Sequence, residues 1–206
     1  MGEAAPIDAL KDVSVEAVPG EFIAVMGPSG CGKSTLLHIM GGMDRATQGE
    51  VCLGDLPLHD YAEEQLTQVR RTKVGYVFQF FYLLPTFTVE ENVELPLLLS
   101  GHTDGLEKIV NLLKRVGMSH RLKALPNQLS GGEMQRVAIA RAIIHDPPLV
   151  IADESTGNLD SETGSQVLQL LHDVSARGTI VVMATHSDLA AQFATRILRM
   201  KDGRIV

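Results

Sequence analysis

Phe22-Ile23-Ala24-Val25-Met26, a run without one polar residue, leads directly into Gly27-Pro28-Ser29-Gly30-Cys31-Gly32-Lys33-Ser34. The apolar run reads as a strand buried on both faces, and Ser34 to Met40 reads as the helix that follows the loop. Glycines at 27, 30 and 32 let backbone N–H groups converge on an anion without interference from Cβ atoms. Lys33 would bring charge to terminal phosphates, and Ser34 would offer its hydroxyl to Mg²⁺. A glycine turn that only joins a strand to a helix needs neither residue in that register. A strand, a phosphate loop and a helix in this order commit the chain to an α/β fold.

Periodicity along the rest of the chain agrees. Val13 to Val18 alternates apolar and polar residues and predicts a half-exposed strand ended by Pro19-Gly20. Gly49 to Gly54 predicts a short strand and turn, and Val74 to Phe78 a strand that ends at Gln79. From about Val89 to Ile144 the pattern is helical. Gly105 and Gly117 bracket one amphipathic helix, and a second begins at Glu133. Strand character returns at Leu149 to Ala152 and Thr179 to Ala184, with a helix from Glu162 to Ala176 between them. Arg196 to Met200 and Arg204 to Val206 predict a hairpin turning at Asp202-Gly203. Strands alternating with helices give a largely parallel sheet with a helical insertion after Gln79.

Composition excludes several classes. A net charge of −7 provides no electrostatic footprint for nucleic acid. The most apolar stretches, such as Val93 to Leu99, are too short to cross a bilayer. Met1 to Pro6 lacks the basic and apolar regions of a signal peptide, and two cysteines form no disulfide framework. A cytoplasmic chain is the expectation.

Two further segments carry chemistry. Leu129-Ser130-Gly131-Gly132-Glu133 is a second glycine-rich turn, with Ser130 placed to cap the helix after it, and makes another anion site. One chain does not need both turns for one nucleotide, whereas two copies facing each other could use both. Pro148 to Ala152 is an apolar strand ending in Asp153-Glu154. Asp153 would hold Mg²⁺ through water, and Glu154 would orient or deprotonate an attacking water. Gln79 and His186 each stand at a strand end; taken alone, each is an ordinary structural polar residue. His38, His59, His102, His120, His145 and His172 are scattered and have no metal-ligand company.

Together these motifs resemble the ATP-binding-cassette ATPases over nearly the whole chain. The resemblance implies a P-loop NTPase (RecA-like) core with a mostly parallel sheet, a small antiparallel β part and a helical insertion subdomain. Residues 1–206 would form a single domain, with the core at about 1–85 and 146–206 and the helical subdomain with the signature turn at about 86–145. It implies ATP and Mg²⁺, bound by Gly27, Pro28, Ser29, Gly30, Cys31, Gly32, Lys33, Ser34 and Thr35. Gln79 would be the glutamine-loop residue near Mg²⁺ and the attacking water, and His186 the switch histidine at the γ-phosphate. Ser130, Gly131 and Gly132 would complete the site of a second subunit in an ATP-bound homodimer. Ser155 to Asp160 is similar to the family's dimer-crossing loop, which implies Asp160 among the nucleotide-binding residues, although the family usually has proline where Ser155 stands. The implied partner is an integral membrane permease that holds the chain on the inner face of the cytoplasmic membrane. No nucleic-acid partner is implied, because Lys33 and Asp153 stand too close for the long insertions of DNA-repair members.

Phe78 to Pro85 followed by Thr88 to Val93 is similar to the branch of lipoprotein-releasing, macrolide-exporter and cell-division cassettes. That branch implies coupling to a membrane protein, whether for extrusion or for mechanical signalling without transport. Aromatic residues make up 4% of the chain, so their concentration from Phe80 to Phe87 predicts a partner-facing rim with some of Phe80, Phe81 and Tyr82 exposed. Residues 1 to 21 contain no Phe, Tyr or Trp, although the family stacks adenine on an aromatic residue upstream of the phosphate loop. Either the sequence starts past that residue or base selectivity is weak, with about 1–3 kcal/mol of stacking at stake. Cys31, beside Lys33 and a helix N-terminus, predicts a small tolerated residue whose thiol is chemically sensitive.

Overall fold

The computed structural model describes residues 8–102, 105–157 and 159–206. Strand β1 (Phe22–Met26) passes through the glycine loop into α1 (Lys33–Met40). A small antiparallel pair follows, β2 (Cys52–Leu53) and β3 (Leu56–Pro57), then α2 (Glu63–Lys73) and β4 (Val74–Val77). Three helices come next: α3 (Val89–Leu99), α4 (Leu106–Arg115) and α5 (Gly131–Ile143). The chain then alternates through β5 (Leu149–Asp153), α6 (Ser161–Ser175), β6 (Ile180–Thr185), α7 (Asp188–Phe193), β7 (Arg196–Lys201) and β8 (Arg204–Ile205).

The main sheet runs β4-β5-β6-β1-β7-β8, parallel except for β8, which closes the edge antiparallel to β7. Successive strand residues point to opposite faces, and the core divides accordingly. Phe22, Val150, Ala152, Val181 and Met183 belong to one hydrophobic cluster with Val93, Leu112, Ile139 and Leu168 from α3 to α6. Ile23, Val25, Leu149, Ile151, Val182 and Ala184 belong to the other, with Leu36 and Leu37 of α1 and Leu66 and Val69 of α2. Layers on both faces explain why the parallel strands carry unbroken apolar runs. Ile139 and Leu168 are fully buried, each stabilising by about 1.5–3 kcal/mol relative to an exposed side chain.

The segment from Val13 to Val18 corrects one expectation. Its alternation is real, with Val13, Val15 and Ala17 half-buried against the second cluster and Ser14, Glu16 and Val18 exposed. It pairs with no strand among the described residues, so it remains an extended segment rather than a strand. Arg196 Nη1 fastens it by donating to the Glu16 carbonyl at 2.8 Å. The strand expected through Phe78 closes at Val77, and the helix expected from Glu133 starts at Gly131. The readings of Met1 to Pro6 and of Asn158 lie outside the described residues.

Candidate functional site

Parallel register assembles the site. Val77 pairs with Ala152, Asp153 with Ala184, and Met26 with Thr185, so neighbouring strands end level with one another. The residues that follow each strand therefore emerge along one sheet edge: Gln79 after β4, Glu154 after β5, His186 after β6 and the glycine loop after β1. The carboxyl edge of an open parallel sheet is where such folds place ligands.

Steric demand shapes the loop. A Cβ on Gly27 would meet the Met200 carbonyl oxygen at 2.2 Å, so only glycine passes beneath β7. Gly32 has φ 103° and precedes α1 with no side-chain cap, which leaves the first N–H groups of that helix for a ligand. Lys33 is buried, and its ammonium donates to the carbonyls of Gly27 (2.9 Å) and Pro28 (3.0 Å). Two of its three N–H donors fix the side chain across the loop, and the third is available to an anion. Ser34, exposed, and Thr35, half-buried, open the first turn of α1. Pro28, Ser29 and Gly30 form the outer arc, with Cys31 N–H donating to the Pro28 carbonyl at 3.3 Å.

Asp153 and Glu154 differ in environment although they are adjacent. Asp153 Oδ1 is buried and has no hydrogen-bond partner among the described residues. A buried carboxylate oxygen in that condition suits a cation or a water held by one. Glu154 has φ 44°, a left-handed backbone that costs an L-residue roughly 1–2 kcal/mol. Its N–H donates to the Ala184 carbonyl at 3.0 Å, which holds the turn against β6. Its Oε1 lies 3.5 Å from His186 Nδ1, so the two candidate catalytic side chains meet across neighbouring strand ends. Gln79 reaches the same loop: its Nε2 lies 3.7 Å from where a Cβ on Gly157 would stand. No group of three or more His, Cys, Asp or Glu among the described residues could hold a metal. Ser34 at the start of α1, Gln79 after β4 and Asp153 at the end of β5 stand along this same sheet edge.

The Ser130 turn is built by a capping box. Ser130 Oγ accepts from Glu133 N–H at 3.3 Å, and Glu133 Oε2 accepts from Ser130 N–H at 2.8 Å. That backbone bond, and Arg121 on the other oxygen at 3.1 Å, hold the Glu133 carboxyl below its ordinary range. Gly132 has an internal reason to be glycine, since a Cβ there would sit 2.2 Å from Thr163 Cγ2 on α6. Gly131 has none, because its nearest neighbours would be 3.7 Å away on Leu159 and Phe81. Asp160 caps α6: its Oδ1 accepts from the N–H groups of Glu162 (3.1 Å) and Thr163 (3.0 Å). Thr163's backbone N–H and hydroxyl lower the Asp160 pKa.

Cys31 overturns the expectation of a sensitive thiol. It is 4% exposed, with its sulfur packed under Gly27, 2.8 Å from where a Cβ there would stand. Packing therefore restricts access to the sulfur. The aromatic expectation fares better, because Phe80 and Tyr82 are 60% and 64% exposed while Phe81 is half-buried. Sequence reasoning passed over Arg141, which donates from Nη1 to the Tyr82 carbonyl (2.6 Å) and from Nη2 to that of Phe81 (2.9 Å). An arginine breaking the apolar face of a helix was the available signal.

Residues 10–157 match the family described as ABC transporter. The chain is 46% identical over 202 residues to the lipoprotein-releasing system ATP-binding protein LolD of Legionella pneumophila, covering 97% of this chain and 89% of that one. It is 42% identical over 199 residues to the macrolide export ATP-binding/permease protein MacB of Bdellovibrio bacteriovorus, covering 97% of this chain and 31% of that much longer one. The dimeric structure of MJ0796, a bacterial ABC transporter cassette, superposes with a TM-score of 0.88 at 44% identity, covering 100% of this chain and 91% of that one. A dimeric post-hydrolysis state of MJ0796 bound to ADP and Pi gives the same values.

Proposed function

The chain belongs to the ABC transporter family as an ATP-hydrolysing subunit, and we propose that two copies close around two ATP molecules to drive a membrane permease. The observation that carries this reading is the common edge on which strand register sets the glycine loop, Gln79, Asp153-Glu154 and His186.

In each site Gly27 to Thr35 would cradle the triphosphate, with Lys33 on the terminal phosphates. Ser34, Gln79 and Asp153 would hold Mg²⁺, which supplies charge neutralisation along the β- and γ-phosphates. Glu154 would orient or deprotonate the attacking water, and His186 would contact the γ-phosphate. Ser130, Gly131 and Gly132 of the partner subunit's identical surface would close the site, so isologous symmetry makes both sites equivalent. Positioning and electrostatics carry such a reaction, since phosphoryl transfer asks little covalent chemistry of the protein. Helices of the segment at about 86–145 would carry the turn toward the opposing nucleotide, and Asp160 would lie at the dimer seam.

No helix among the described residues is long and apolar enough to cross a membrane. Attachment to the inner face of the cytoplasmic membrane would come through the permease, received at Phe80 and Tyr82. Likeness to the lipoprotein-releasing and macrolide-export proteins favours extrusion of a lipidated or amphipathic cargo. The test is ATPase activity against protein concentration: turnover per molecule should fall on dilution. Constant turnover with no nucleotide-dependent pairing would defeat the proposal.

A further inference from the structure

Strand β7 outruns its neighbour. Met26, the last residue of β1, pairs with Arg199, whereas β7 continues through Met200 to Lys201 before the hairpin turns at Asp202-Gly203. The overhang lies where the chain leaves β1 for the glycine loop, and it brings the Met200 carbonyl against Gly27. Asp202 and Gly203 have φ 50° and 82°, the two left-handed residues that a tight hairpin turn requires. Gly203 is buried, and both of its backbone polar groups are bonded. Its N–H donates to the Cys31 carbonyl at 3.1 Å, and its carbonyl accepts from Lys11 N–H at 2.8 Å. The segment that carries Lys11 presses on the loop as well. Ala9's carbonyl oxygen stands 2.5 Å from the place of a Cβ on Gly32 and 2.9 Å from that of one on Gly203. Arg204 Nη1 ties the same segment down by donating to Asp12 Oδ2 at 2.7 Å.

A trans peptide unit is planar, so its C=O and the N–H that follows point to opposite sides. A bond that draws the Cys31 carbonyl toward the hairpin therefore turns the Gly32 N–H away from it. Among the described residues that N–H has no hydrogen-bond acceptor, which leaves it for a ligand. Glycine adopts many backbone conformations, so Gly32 does little to fix this peptide plane from within. We propose that Gly203 is a positioning residue for phosphate binding: by holding the Cys31 carbonyl it aims the Gly32 N–H at the bound phosphates. The inference rests on the reading of Gly27 to Thr35 as the phosphate cradle, and extends that cradle to the turn between β7 and β8.

The experiment compares Gly203→Ala with Gly178→Ala in the full chain. Gly178 is the matched control: it too is left-handed, at φ 101°, but it lies between α6 and β6 with open space where a Cβ would stand. Both substitutions strain the backbone and should lower the melting temperature. Calorimetric titration with Mg²⁺-ADP and with inorganic pyrophosphate, at a temperature where every variant is folded, then separates them. Gly203→Ala should weaken both ligands by the same factor, roughly tenfold or more, as loss of a hydrogen bond to a charged group does. Gly178→Ala should leave both affinities within about twofold of wild type, since it touches no phosphate donor. Wild-type affinities in Gly203→Ala, equal weakening in Gly178→Ala, or weaker ADP with unchanged pyrophosphate would each overturn the inference. Neither titration needs a dimer, so those outcomes leave the two-copy reading intact. If the wild type binds neither ligand, the reading of the cradle falls and the inference falls with it. Should Gly203→Ala fail to fold, replacing the Cys31-facing amide of Gly203 by an ester removes the N–H alone, and undiminished pyrophosphate binding by that protein refutes the role.

Discussion

The sheet edge and the Ser130 turn are both glycine-tipped, yet they are constructed on different principles. At the edge, groups separated by long stretches of chain are gathered by parallel register, and individual atoms stand unsatisfied or strained: Asp153 Oδ1 has no partner and Glu154 has a left-handed backbone. At the turn everything is local and satisfied, with Ser130 and Glu133 capping each other and Gly132 packed on Thr163. No hydrogen bond joins the two regions among the described residues. Strain at the edge marks a place shaped for a ligand at the expense of its own stability. The turn is instead complete in its own hydrogen bonds, the kind of surface that the proposed second copy could use as it stands.

Changes at the edge should therefore affect chemistry, and changes at the turn should separate chemistry from binding. The largest effect is expected for Glu154→Gln, which keeps shape and removes the base. Phosphate release should fall by roughly 10²–10⁴-fold, and light scattering should show an ATP-bound dimer accumulating. A variant with full activity removes Glu154 from its role. Next comes Ser130→Arg, whose bulk at the dimer face should cut turnover roughly hundredfold. Nucleotide binding by the isolated subunit should stay near normal, because Gly27 to Thr35 are untouched. Loss of both together would mean that the turn serves folding, and the contrast between the two regions would not hold.

Within the turn, two adjacent glycines divide the roles further. Gly132→Ala must push Thr163 away and should destabilise by about 1–3 kcal/mol, the range for overpacking a close contact. Gly131→Ala meets only ordinary contacts at 3.7 Å and should leave the melting temperature nearly unchanged. Turnover should nonetheless fall in Gly131→Ala, since the proposed approach of a second subunit's nucleotide needs a bare backbone there. Equal melting shifts in both would show that the Thr163 contact relaxes easily.

Much of this was legible in the sequence because the phosphate loop and the Ser130 cap are local patterns with local causes. Apolar strands were legible too, since burial on both faces leaves no polar position. Helix α2 was not, for only Leu66 and Val69 of its residues are buried and the rest is polar. Glu63 and Glu64 in its first turn and Arg70, Arg71 and Lys73 in its last were a signal that would have found it. At the site, the level strand ends, the Glu154–His186 approach and the Thr163 contact of Gly132 depend on register and on crossing of distant elements. Arg141's hold on two carbonyls is of the same kind: backbone acceptors carry no mark in a sequence. Burial of Cys31 was missed because the expectation weighed Lys33 and the helix N-terminus beside the thiol and not the packing of its sulfur under Gly27.

The smallest effect follows from acid. Glu133 titrates below its ordinary value of 4.5, chiefly because Ser130's N–H binds its carboxylate, with Arg121 adding to the shift. A folded-state pKa below the unfolded one stabilises the protein above the unfolded value, and that contribution is lost as pH falls through the folded value. Glu133→Gln keeps an acceptor for Ser130's N–H, so the capping box survives, but it cannot ionise. Wild type should thus be modestly more stable than the variant from pH 8 down to about pH 5, where an ordinary glutamate is still charged. The difference should shrink and vanish as the carboxylate takes up its proton. Melting temperatures of both proteins across that range measure it directly. A gap that persists into acid would locate the stabilisation in packing of the side chain rather than in its charge, and the turn would then be less dependent on electrostatics than the sheet edge.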